Sequence, residues 1–270
     1  MKIAFLGGGN MASALIGGLL AKGYAADAMS VVERLPAARA KLAERYGVRV
    51  SDAPDAATLA ADTLLLAVKP QDMRAAVSPL AGRLERQVVI SIAAGIRLAD
   101  LSRWLGGYRK LVRVMPNTPS LIGAGIAGLY ALPEVCAAER ESAQGVLAAV
   151  GRTVWVDDEA LIDPVTAVSG SGPAYVFYFI EALERAGVEL GLAPAAAREL
   201  AVATFAGAAR LAAESGEAPG VLRERVTSKG GTTYAALTAM QSSGLKPQFK
   251  AAMQAARQRA AELGAEFGAA

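Results

Sequence analysis

The chemistry legible in this chain sits in two glycine-rich loops. Gly7-Gly8-Gly9-Asn10-Met11-Ala12 matches G-x-G-x-x-A where an apolar run, Ile3–Leu6, gives way to helical spacing. In such a turn Gly7 permits the tight bend and Gly9 lets the backbone approach a pyrophosphate. Ala12 lets helix and strand pack closely, and the phosphates rest on the helix N-terminus. Gly8, Asn10 and Met11 complete this candidate cofactor loop. The second loop is Val226-Thr227-Ser228-Lys229-Gly230-Gly231-Thr232-Thr233. Its glycines free backbone N–H groups for an anion nest suited to a carboxylate. Thr232 and Thr233 open a helix there, adding hydroxyls beside the positive end of its dipole; helix capping by one threonine is the simpler structural use.

Other motifs fall at strand ends, where open α/β sheets bind ligands. Glu33 and Arg34 end the second strand, where the adenosine ribose of a dinucleotide lies. A carboxylate there accepts from both ribose hydroxyls and favours NAD, whereas an arginine holds the 2′-phosphate of NADP. The pair leaves NADH and NADPH both open. Ala67, Val68, Lys69 and Pro70 close another strand, with Lys69 facing either phosphate or solvent. Ala93, Ala94 and Gly95 close the next, small enough to leave room for a nicotinamide or its ribose. Arg113-Val114-Met115-Pro116-Asn117-Thr118-Pro119 is stiffened by two prolines, and Asn117 offers an amide to the cleft or to its own turn. Ser169-Gly170-Ser171-Gly172-Pro173-Ala174-Tyr175 reads as a loop followed by Pro in the first turn of a helix, with either serine able to cap it.

What the chain lacks narrows the chemistry. Its 270 residues include no histidine and one cysteine, Cys136, in an expected helix. Those absences exclude a histidine triad, a histidine base and a His/Cys zinc site, and no metal is expected. One cysteine cannot form an internal disulfide, which points to a reducing cytoplasm. The net charge of +3 is dispersed, with acids among the bases. No stripe for nucleic acid or membrane emerges. Gly7–Asn10 interrupt the apolar N-terminus, which argues against a signal peptide. Neither is a spanning segment expected.

These motifs need a frame that aligns strand ends. Short β-branched runs occur at Ile3–Leu6, Ser30–Glu33, Arg49–Val50, Thr63–Val68, Val88–Ala93, Leu111–Met115 and Ile126–Tyr130, separated by helical spacing. Continuously apolar runs such as Leu64–Val68 suit a parallel sheet covered on both faces. The fold class expected is therefore α/β, a doubly wound Rossmann-type sheet. A helix over about 134–150 and a strand at Thr153–Val156 close it. Beyond Asp157, Pro173–Gly187, Pro194–Ser215, Val221–Arg225, Thr233–Ser243 and Pro247–Phe267 read as helices. The expected domains are thus 1–160, binding dinucleotide, and 161–270, all helical.

Taken together, Gly7–Ala12, Ala67–Pro70, Ala93–Gly95, Arg113–Pro119, Ser169–Tyr175 and Val226–Thr233 resemble, in order and spacing, the motifs of pyrroline-5-carboxylate reductases. The resemblance spans nearly the whole chain, and its last two motifs are its most specific. It implies hydride transfer from NADPH or NADH to the C=N carbon of 1-pyrroline-5-carboxylate, giving L-proline. It further implies a helical domain that interlocks with a second subunit, a site formed between the domains, and larger rings of dimers in some members. By position, Gly230, Gly231 and Thr232 would hold the substrate carboxylate and Thr233 would hydrogen-bond the ring nitrogen as the catalytic residue, with Ser228 in the same loop. Lys229 departs from the family, which commonly has Pro there, and the region Asp52–Asp55 lacks a confident match to a family Asn near the adenosine. A similar 3-hydroxyacid dehydrogenase would need a catalytic Lys, which Pro173–Gly187 lacks. A non-enzymatic dinucleotide sensor would have no use for Gly230–Thr233.

Overall fold

The computed structural model describes residues 1–269. Its eight strands are β1 (Ile3–Leu6), β2 (Met29–Val32), β3 (Arg49–Ser51), β4 (Thr63–Leu66), β5 (Val88–Ser91), β6 (Leu111–Met115), β7 (Gly125–Ala131) and β8 (Gly151–Trp155). They form one sheet in the order β3-β2-β1-β4-β5-β6-β7-β8. Every neighbouring pair is parallel except β6 with β7. The first six strands follow the order of a dinucleotide-binding sheet.

Side-chain alternation builds two cores from one sheet. Leu65, with Phe5 and Ile90, packs toward α1 (Asn10–Ala21), α2 (Pro36–Tyr46) and α6 (Ala137–Leu147). Its neighbours Leu64 and Leu66 face the other side with Val89. They meet Met73 and Val77 of α4 (Met73–Val77) and Leu101 and Trp104 of α5 (Leu98–Trp104); α3 (Ala56–Leu59) is a single turn. Period-two alternation within an all-apolar strand places apolar groups on both faces, which is why a covered parallel strand reads as continuous. Each leucine so buried contributes about 1.5–3 kcal/mol.

Expected strands run slightly long. Thr63–Val68 ends at Leu66 and Val88–Ala93 at Ser91, because one further hydrogen bond (Ala67 N–H to Leu6 O, 2.8 Å; Ile92 N–H to Leu66 O, 3.2 Å) is followed by departure from the sheet. Cys136 lies at the N-cap of α6, not within it.

The remaining helices are α7 (Ile162–Val165), α8 (Gly172–Glu189), α9 (Pro194–Ser215), α10 (Pro219–Arg225), α11 (Thr232–Ser242) and α12 (Leu245–Ala269). The expected loop at Ser169–Gly172 is instead mostly helical: α7 runs into a π-helical turn, Thr166–Gly170. The hydroxyls of Thr166 and Ser169 donate to Ile162 O and Val165 O, four residues back, and Ser171 N–H reaches Thr166 O at 2.8 Å. Serine hydroxyls that bond to the preceding turn support a helix as readily as they cap one. Ser169 is therefore no cap.

The chain divides into two compact units: Met1–Ser171 together with the chain from Ala256 onward, and Gly172–Ala255. The second is wholly helical. No helix of the described residues is long and apolar enough to cross a membrane.

Candidate active site

In the first unit the glycine loop sits where β1, β2 and β4 end. Gly7 has φ +100°, and a Cβ there would stand 2.7 Å from Ala67 O, so only glycine serves. Its N–H donates to Val32 O at 2.8 Å. Gly9 is the opposite case: exposed, with negative φ and open space where its side chain would be. The first helical bond of α1 runs from Ser13 N–H to Gly9 O (2.9 Å), and no side chain caps this helix. The amides of Asn10, Met11 and Ala12 thus lack helical partners, and Asn10 and Met11 stand at an open approach. Ala12 itself is fully buried against the sheet. Uncapped amides, a positive dipole end and an unobstructed Gly9 fit a dinucleotide pyrophosphate.

Glu33 is drawn back onto this loop. Its Oε2 accepts from Gly8 N–H at 3.1 Å and its Oε1 from Leu35 N–H at 3.0 Å. Arg34 projects into solvent. Arg39, which sequence reasoning missed, donates through Nη1 to the carbonyls of Glu33 and Arg34, both at 2.8 Å. A lone arginine in the first turns of the helix after β2 was the available signal.

Ala67 and Val68 are half-buried beside Gly7, and Lys69 is exposed ahead of the short turn begun by Pro70. Ala93 is buried and Ala94 half-buried at the end of β5. Gly95 does not open space for a ligand. It has φ +76°, and a side chain there would stand 3.1–3.3 Å from Leu263 and Phe267, so its smallness admits α12.

Asn117 is buried and engaged at both ends. Its Nδ2 donates to Ser169 O (3.1 Å), and its Oδ1 accepts from Ile126 N–H (3.0 Å). Arg113, 4% exposed, pairs with Glu159 (3.1 Å) and Asp163 (3.3 Å). Glu159 also accepts from Leu98 N–H at 2.8 Å. This motif ties β6 to the π-helical turn and to the start of α5. Removing one partner of such a buried pair costs about 3–5 kcal/mol.

In the second unit, the loop between α10 and α11 closes through Gly231 N–H to Ser228 O at 3.0 Å, with Gly230 at φ +77°. The Gly231 amide is therefore spent within the turn. A side chain at Gly231 would meet Ser228 Oγ at 2.6 Å, so this glycine shapes the bend. Gly231 is the N-cap of α11, no side chain caps that helix, and its first bond is Ala235 N–H to Gly231 O (3.1 Å). The amides of Thr232, Thr233 and Tyr234 carry no helical bond. Ser228, Lys229, Gly230 and Thr232 are exposed and Thr233 is half-buried. The loop thus leaves a second helix N-terminus uncapped, with hydroxyls at its rim.

Known proteins share both halves. Residues 159–263 match the family model described as pyrroline-5-carboxylate reductase dimerisation. Residues 2–95 match the one described as NADP oxidoreductase coenzyme F420-dependent. A pyrroline-5-carboxylate reductase of Pseudomonas aeruginosa is 47% identical over 253 residues, covering 93% of each chain. The solved structure of a pyrroline-5-carboxylate reductase from Coxiella burnetii superposes with a TM-score of 0.92 at 39% identity, over 97% of this chain and 98% of that one. That of Plasmodium falciparum pyrroline carboxylate reductase with NADP bound gives 0.85 at 26% identity, over 98% of each. By sequence along nearly its whole length and by fold, the chain belongs to the pyrroline-5-carboxylate reductase family.

Proposed function

We propose that the protein reduces 1-pyrroline-5-carboxylate to L-proline, the last step of proline biosynthesis, with NADPH or NADH. The observation that carries this reading is the pair of uncapped helix N-termini that follow glycine loops: α1 behind the open Gly9, and α11 behind Gly230 and Gly231, opening on two threonines. When bound, the dinucleotide supplies the hydride. The amides of Gly9, Asn10 and Met11 would hold its pyrophosphate, with Ala12 packing the helix onto the sheet, and Ala67–Pro70 with Ala93 and Ala94 would border its path along the strand ends. Asn117 serves this path by positioning the π-helical turn.

The imine carboxylate is held by the amides of Gly230, Thr232 and Thr233 and by the Ser228 hydroxyl, with Gly231 setting the bend. The cyclic imine takes its proton from water, so no strong general acid is needed in a chain without histidine. Thr233 Oγ1 would hydrogen-bond the ring nitrogen and orient the C=N carbon for hydride attack. The carbon gains the hydride, the nitrogen keeps its proton, and a secondary amine results. Lys229 adds a cation at the rim. We read the enzyme as a cytoplasmic homodimer assembled through its helical domain, with rings of dimers as the larger assembly.

The test is to mix purified protein with pyrroline-5-carboxylate and NADPH or NADH and follow the absorbance of the reduced cofactor. Oxidation dependent on the imine is expected; its absence with both cofactors overturns the reading. Thr233→Ala should lower kcat by roughly 10²-fold with cofactor affinity unchanged. Unaltered turnover would remove Thr233 from the mechanism.

A further inference from the structure

The turn between β2 and α2 brings one carboxylate and two guanidinium groups to the end of β2. A dinucleotide whose pyrophosphate rests on the α1 amides places its adenosine ribose there. Both Glu33 oxygens already accept backbone N–H groups, from Gly8 and Leu35. The carboxylate therefore braces the glycine loop against the β2 end. Arg39 is immobilised by the Glu33 and Arg34 carbonyls through a single nitrogen. Among the described residues, no partner engages its Nε or Nη2, nor any part of the exposed Arg34 side chain. The turn thus offers two cations with unspent donors against one anion held by amides.

A ribose 2′-hydroxyl brings no charge to such a pair. A 2′-phosphate monoester brings nearly two negative charges and three acceptor oxygens, which guanidinium forks match in geometry. We propose that Arg34 and Arg39 clamp the 2′-phosphate, so that this enzyme selects NADPH over NADH, while Glu33 serves the loop. The assignment deepens the reductase reading and rests on it for the hydride donor being a dinucleotide. Arg39 is the fixed element, pre-oriented by the two carbonyls; Arg34 is the mobile arm that closes on the phosphate from solvent.

The experiment is calorimetric titration of the full-length protein with 2′,5′-ADP and with 5′-AMP, fragments that differ only in this phosphate. The wild-type protein should bind 2′,5′-ADP at least ~10-fold more tightly. Arg34→Ala removes no contact within the protein and should fold normally. It should weaken 2′,5′-ADP binding about 10-fold and leave 5′-AMP within about 2-fold. Arg39→Met should do the same, with its melting temperature reporting any loss from the freed carbonyls. Equal affinity for the two fragments in the wild-type protein, or an Arg34→Ala variant with undiminished preference, overturns the assignment. No substrate turns over in this titration. Discrimination between the fragments without imine-dependent cofactor oxidation would sink the reductase reading and leave the clamp standing.

Discussion

The two units differ in how much of themselves they hide. In the first, both faces of the sheet are sealed by helices, and Phe5, Leu65 and Leu66 are inaccessible. In the second, the only fully buried apolar side chains among the described residues are Ala197 and Ala201. Phe177, Tyr178 and Leu190 stand 64%, 68% and 85% exposed there. α8 packs on α9 closely enough that a side chain at Gly187 would lie 3.2 Å from the Ala197 Cβ, and Tyr175 and Phe179 gather around Phe249. The outward faces of these helices stay bare. Apolar surface on this scale marks an interface, in keeping with a region that matches a dimerisation family model. The first unit thus covers its apolar core within one chain, while the second leaves apolar helix faces for a partner to cover.

The harshest way to break this comparison is Phe177→Asp. A charge placed in a covered apolar interface costs several kcal/mol. Light scattering should then report monomer, and reductase activity should fall ~10³-fold, while 5′-AMP binding by the first unit persists. A variant that stays dimeric and active would show that the bare face around Phe177 is not the covered one. Next in size is Gly9→Val. Nothing lies within 4 Å of a side chain at this position, so the melting temperature should hold while dinucleotide affinity drops about 10- to 100-fold as the side chain enters the phosphate path. Equal losses of stability and affinity would mean that Gly9 is structural, as Gly7 is.

The smallest effect concerns the self-sufficiency of the first unit. Burial, with the charge of Glu139 adding to it, pushes the Tyr108 hydroxyl up to about 12 from its ordinary 10. That hydroxyl donates to Gln87 O at 2.6 Å. Between those pH values the folded chain keeps a proton that the unfolded chain releases, so stability declines as pH rises through the window. The contribution is complete below pH 10 and lost toward 12. Urea denaturation across that range should show the decline, and Tyr108→Phe should flatten it. An unchanged slope in the variant would assign the alkaline loss elsewhere.

Much of this architecture is legible in the residues themselves. The strand cores are, because β-branched and leucine runs bounded by glycine and proline have few other readings. Pro194–Ser215 is bounded to the residue, since Pro sits at its first turn and Gly216, in the left-handed region, stops it. Both glycine loops are legible as helix starts; that no threonine caps the second is not, because capping depends on where the hydroxyl points. Ser169–Gly172 is not legible either, because Ser and Gly signal turns locally, while here Ser171 N–H bonds back to Thr166 O and the Thr166 and Ser169 hydroxyls turn onto carbonyls of the preceding turn. Gly95 reads as space for a ligand because the residues that fill that space belong to α12, far along the chain.

The sequence alone therefore determined most of the element types, the tight bend at Gly7, and the absence of histidine chemistry. Those are local properties, carried by side-chain shape and spacing. Only the tertiary structure decided where each donor points. It turned Glu33 onto Gly8, spent the Gly231 amide inside its own turn, and closed Asn117 between Ile126 and Ser169. It also set Arg39 beside Arg34 with donors to spare. A hydrogen bond needs two groups within about 3 Å, and which groups meet is settled by how the strands and helices pack.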